Sequence, residues 1–90
     1  MHYVYVLKSI KNSEKTYVGF TNSIDHRLRL HNDGKSSYTA KYKPWALVGY
    51  TAFQEEPQAV LFEKYLKSGS GKVFLKKHFL QGLPSRATSA

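Results

Sequence analysis

The stretch "TYVGFTNSIDHRLRLHN", Thr16–Asn32, decides the fold, because a strand turns in it directly into a helix. Thr16–Thr21 mixes aromatic and β-branched residues around Gly19, the composition of a strand. Asn22 or Ser23 can cap the helix that follows, which runs to about Asn32, with Gly34 a stop just beyond it. At about 100° per residue, Ile24 and Leu28 share their stripe with Arg27 and His31. An arginine and a histidine on the face turned toward a core need a reason. One reading is structural: the arginine lies flat across the sheet edge beside a hydrogen-bonded histidine. The other is that the two, one turn apart, point at a common ligand.

Outward from this stretch the chain is a single domain. His2–Lys8 alternates, with Tyr3, Tyr5 and Leu7 on one side and Val4 and Val6 on the other, which is a strand. The polar connection "SIKNSEK" makes it the antiparallel neighbour of Thr16–Thr21. "GKSSYTAKYKP" reads as a loop of basic and aromatic residues, and Trp45–Phe53 as a third strand. Glu55, Glu56 and Pro57 open a helix that continues to about Lys67. "SGSG" reads as a break, followed by a last helix over Lys72–Leu80. The order strand, strand, helix, strand, helix, helix predicts an α+β fold, a small and mainly antiparallel sheet covered by three helices. The domain is expected over residues 1–82, with 83–90 a polar flexible tail.

Composition excludes several classes of function. The 90 residues contain no cysteine, so disulfides, thiolate zinc sites and thiol nucleophiles are ruled out. The alternating N-terminus "MHYVYVLKS" has neither the apolar run nor the cleavage site of a leader, and no stretch suits a membrane span; a soluble, cytoplasmic protein with no membrane partner is expected. Fourteen Lys and Arg against six Asp and Glu give a net charge of +8, the footprint of a protein that meets a polyanion. "GSGKV" (Gly69–Val73) imitates a phosphate loop, but Val73 stands where the hydroxyl is needed and a helix, not a strand, precedes it. The four histidines lack zinc-ligand spacing.

The helix after Pro57 repeats the anomaly with opposite charge. Ala59, Phe62, Glu63 and Leu66 fall in one stripe, leaving Glu63 the lone acid among core residues. A carboxylate withdrawn from water needs a base or a metal. A salt bridge to Lys67, one turn on, is the structural reading. The other adds the strands. If the Tyr5 face of the first strand coincides with the Tyr17 and Gly19 face of the second, two phenols sit by Arg27 and His31, with room left at Gly19. An acceptor for metal, a cation for phosphate and two phenols are the parts of a phosphodiester-hydrolysing site.

At this point the residues resemble the GIY-YIG nuclease family. Tyr3-Val4-Tyr5 stands for the first half of the name motif, with tyrosine for its glycine, and Tyr17-Val18-Gly19 for the second. Arg27-x-x-x-His31-Asn32 and Glu63-Lys64-x-Leu66-Lys67 follow in order. The resemblance spans residues 2–80 and is greatest to small standalone bacterial members, which are similar to the nuclease domain of the excision-repair incision enzyme. It implies a three-stranded antiparallel sheet flanked by helices, and a DNA endonuclease using Mg²⁺ or Mn²⁺. By position, Glu63 would bind the metal and Arg27 the scissile phosphate. Tyr5 would activate or orient the attacking water and Tyr17 help position it, while His31 assists proton transfer or fixes a phenol. Several members carry an asparagine after the metal-binding glutamate; this chain has none after Glu63. Candidate nucleic-acid contacts are Lys35, Tyr38, Lys41, Tyr42 and Lys43 in the loop, with Lys67 and Lys72 beyond it. The DNA partner is expected to be branched or single-stranded. The rival expectation is a module of the same fold that binds nucleic acid without cutting it.

Overall fold

A computed structural model describes residues 1–80. Three strands, β1 (His2–Ser9), β2 (Thr16–Thr21) and β3 (Trp45–Phe53), form one antiparallel sheet in the order β2-β1-β3. Helix α1 (Ile24–Asn32) follows β2, and α3 (Glu56–Leu66) follows β3. A one-turn helix α2 (Ser37–Ala40) lies between α1 and β3, and α4 (Gly69–Leu75) runs into a π-helical turn, Lys76–Leu80. The α+β layout is the expected one. The domain boundary drawn after residue 82 lies outside the described residues.

As the middle strand, β1 is covered on both faces, so Val4, Tyr5, Val6 and Leu7 are all buried. Their alternation divides the core in two. Val4, Val6 and Val18 meet Ala59, Leu66 and Leu75 beneath α3 and α4, with Phe62 and Phe74 around them. On the opposite face Tyr5, Leu7 and Trp45 pack with Tyr17, Ile24, Leu28 and Tyr42. Each fully buried aliphatic side chain contributes at most about 1.5–3 kcal/mol. The site therefore grows from the second core, on the α1 face.

Two local expectations change. The basic-aromatic loop contains α2, because Ala40 N–H reaches the Ser36 carbonyl at 2.9 Å and Thr39 is fully buried. The expected break between the helices is there, at Lys67 and Ser68, but the last helix opens within "SGSG" at Gly69 instead of at Lys72. Ser68 caps α4, its Oγ accepting from Gly71 N–H at 3.2 Å. Gly71 is required there because a Cβ would overlap the Tyr65 carbonyl of α3. Composition signals flexible backbone; the actual constraint is the close approach of α3 and α4.

Candidate active site

The pairing register brings the two tyrosine motifs onto one face. Tyr5 lies opposite Gly19 and Leu7 opposite Tyr17, so Tyr5 and Tyr17 share the α1 side. Gly19 is where a neighbouring ring must pass: a Cβ there would overlap the Tyr5 hydroxyl and Cζ. The Tyr5 hydroxyl lies 3.0 Å from His31 Nε2, and His31 Nδ1 lies 2.8 Å from Thr39 Oγ1. Thr39 Oγ1 donates in turn to the Ser36 carbonyl at 3.4 Å. With the threonine proton committed there, Thr39 accepts from Nδ1–H. In the tautomer that this arrangement favours, Nε2 is bare and accepts the Tyr5 proton.

Burial sets the charge states. It pushes the Tyr5 phenol above its ordinary 10.0, although the Arg27 guanidinium beside it pulls the other way. Burial, then Arg27, push His31 below 6.5. Both groups are thus neutral at pH 7, joined by one hydrogen bond. The Tyr17 ring is half-buried, its centroid 4.8 Å from that of His31 and 6.2 Å from that of Tyr5. Arg27 is half-buried, and its Nε is shut off from solvent with no hydrogen-bond partner among the described residues. A buried, unpartnered guanidinium nitrogen is costly unless an anion completes it.

Glu63 approaches from α3, on the far side of the sheet. Its side chain is 22% exposed, with Oε2 3.1 Å from Lys67 Nζ. That ammonium also lies 6.0 Å from the Tyr17 ring centroid, and the Glu63 charge is felt at the Tyr5 phenol. Glu63 and Lys67 thus reach the tyrosines around the β2 edge. The salt bridge weighed from the sequence exists, and it lies against Tyr17. Among the described residues no three His, Asp or Glu side chains cluster as a metal site. A single carboxylate still suits Mg²⁺, which keeps water and takes substrate phosphate oxygens. An ammonium already sits against this one.

The other basic and aromatic candidates are spread around the site. Tyr38 is 53% exposed, its ring 6.3 Å from Tyr17 and 6.1 Å from Tyr42. Tyr42 is half-buried on the second core, with Lys15 over its ring. Lys35, Lys41 and Lys43 are exposed on the segments flanking α2, and Lys43 Nζ lies near Gly34. Lys72 is exposed on α4, lining a cleft with Tyr17 and Lys67. Two residues were given no role from the sequence. Thr39 orients His31, and its carbonyl accepts from the Trp45 indole at 2.8 Å. Asn32 clamps the Trp45 backbone, accepting at Oδ1 (2.6 Å) and donating from Nδ2 (3.2 Å). Asn32 directly follows His31, a weak signal; a threonine in a polar segment gives none.

Among the described residues no helix is long and apolar enough to cross a membrane. The family model described as the GIY-YIG catalytic domain matches residues 1–78. A UPF0213 protein of Bacillus licheniformis is 40% identical over 72 residues, 79% of this chain and 72% of that one. UPF0213 protein BH0048 of Halalkalibacterium halodurans is 33% identical over 89 residues, 98% and 93% of the two chains. The solution NMR structure of UPF0213 protein BH0048 from Bacillus halodurans is similar over 92% of this chain and 87% of that one, with a TM-score of 0.52 and 34% identity.

Proposed function

The chain belongs to the GIY-YIG nuclease domain family, and from that premise we propose that it is a divalent-metal-dependent endonuclease hydrolysing DNA phosphodiester bonds. The observation that carries the reading is the orphaned Arg27 Nε, with its guanidinium beside the Tyr5 phenol and the neutral His31 imidazole. A scissile phosphate would supply the missing partner, and Arg27 would hold it and stabilise the charge that gathers on it.

Tyr17, half-exposed, orients the attacking water. Tyr5 and His31 form the proton acceptor behind it. A phenol held above 10 is a poor base alone. Passing its own proton to the bare Nε2 as it receives another removes the need for a standing phenolate. Glu63 would hold Mg²⁺ or Mn²⁺, with water and phosphate oxygens completing the shell. When bound, that ion supplies Lewis-acid stabilisation of the phosphate and the leaving oxygen. Lys67 must give way to it, so affinity for the metal without DNA is weak. Exposed Tyr38, within ring contact of Tyr17, supports branched or single-stranded DNA, whose unpaired bases can stack on it.

The Glu63–Lys67 pair favours a second reading, a nucleic-acid-binding module in which the metal ligand stays occupied. Incubation with supercoiled, single-stranded and branched DNA in Mg²⁺ or Mn²⁺ separates the two. Nicking that both Glu63→Ala and Arg27→Ala abolish supports the enzyme. Salt-sensitive binding with no cutting in either metal leaves the binding module.

A further inference from the structure

Along the outer edge of β2 two clefts run into one another. The first, about 390 Å³, lies beside Tyr17, with Lys67 and Lys72 above a floor that includes Val18, Leu66 and Leu75. The second, about 610 Å³, lies between the β1–β2 turn and α4, where Lys8, Lys76 and Lys77 face Val73. Thr16 and Leu80 line both, so the two form one groove leading away from the candidate active site. Five lysines border it, against a single lining acid, Glu14.

Two further observations set the character of a ligand. No Asp or Glu occurs after Glu63 in the chain, so Lys72, Lys76 and Lys77 have no acidic partner on their own segment. Lys72 and Lys76 are four residues apart on continuous helical backbone, where like charges repel unless an anion lies between them. Val73 is 68% exposed in the midst of these lysines. A compact anion would use the charge but leave the exposed Val73 unused, and a flat membrane surface does not enter a groove. A nucleic-acid duplex turns its bases inward and offers mainly phosphates. A single strand offers both phosphates and unstacked bases.

We infer that this groove holds a single strand of DNA on its way from the cutting site, phosphates along the lysines and bases over Val73 and Leu80. The inference rests on the nuclease reading for its direction, and adds Lys8, Lys76 and Lys77 to the binding surface.

The test is fluorescence anisotropy with a labelled oligodeoxythymidylate of about 15 nucleotides, titrated across KCl concentrations. It uses the full chain and the variant Lys8→Gln/Lys76→Gln/Lys77→Gln. A charge-matched control, Lys11→Gln/Arg29→Gln/Lys64→Gln, removes exposed cations that line neither cleft. At roughly 0.7 per phosphate contact on a single strand, the groove variant should lose about 2 from the slope of log K against log salt. Its affinity at about 0.15 M salt should fall at least about tenfold, with the control nearly unchanged. Equal losses in both variants would overturn the inference, since they mean diffuse attraction. Loss confined to a duplex of matching length would overturn it too. If the groove variant melts early, Lys76→Gln/Lys77→Gln, both exposed, carries the same comparison. Nicking of supercoiled DNA by the unsubstituted protein is measured alongside. Groove-dependent binding without nicking supports the groove and counts against the nuclease.

Discussion

Gly19→Ala would insert one methyl where the Tyr5 hydroxyl and Cζ already lie. The far end of a flexible side chain could swing aside, but this one cannot. The Tyr5 ring is 1% exposed on the central strand, packed with Leu7 and Trp45, and its hydroxyl is bonded to His31. Overpacking a core costs about 1–3 kcal/mol, and losing the Tyr5–His31 bond adds about 0.5–1.5 kcal/mol. The sum, about 2–4 kcal/mol, should lower the urea midpoint on the order of 2 M for a domain of this size. The reasoning is sharpened by adding Tyr5→Phe. Removing the hydroxyl relieves part of the overlap, so the double variant should be more stable than the two single losses sum to. Urea denaturation of the four proteins gives the coupling directly. Strict additivity, within about 0.5 kcal/mol, would refute the claim that Gly19 exists to seat Tyr5.

Other perturbations reach the same network from different sides. Thr39→Val should cost about 1–3 kcal/mol by stranding His31 Nδ1–H, and should shift the His31 tautomer seen by ¹⁵N NMR, while Thr39→Ser restores both. Because folding lowers the His31 pKa below 6.5, the unfolded chain binds the proton first as pH falls. Stability should therefore be full above about pH 6.5 and decline below it, by up to about 1.4 kcal/mol per pH unit until the folded value is reached. His31→Gln should flatten that part of the urea-midpoint profile. Lys67→Met should raise the affinity of the protein for Mn²⁺ alone by roughly two- to fivefold, the worth of an exposed ion pair, as read by paramagnetic broadening.

Much of the fold was legible because its signals are local. β2 and β3 are marked by β-branched and aromatic runs, α1 by Gly34 beyond its end and a stripe of apolar residues, and α3 by a proline and a similar stripe; the side chain of Ser23 makes no cap bond to α1. Arg27, His31 and Glu63 were legible for the opposite reason: each breaks its stripe. That Tyr5 and Tyr17 share a face depends on strand register, which alternation suggests and only pairing decides. Thr39 stayed hidden because its partners are distant in sequence: His31 lies eight residues before it and Trp45 six after. Gly71, inside the first turn of α4, misled for a related reason. A close crossing of two helices and a flexible hinge call for the same residue.

The centre strand divides its labour residue by residue, and this restricts how the protein can vary. Val4 and Val6 serve the core under α3, while Tyr5, between them, faces the candidate site under α1. Along four consecutive buried positions no site is neutral, yet adjacent sites would fail differently in a saturation scan. Substitutions at positions 4 and 6 would deplete the folded protein, whereas Tyr5→Phe would leave it abundant and, under the proposed function, without activity. A one-residue deletion within the strand would exchange the two roles at once, placing a phenol among valines and a valine against His31. The family's first tyrosine motif is thus locked to its register by the core it interrupts, and cannot drift along the strand without taking the fold with it.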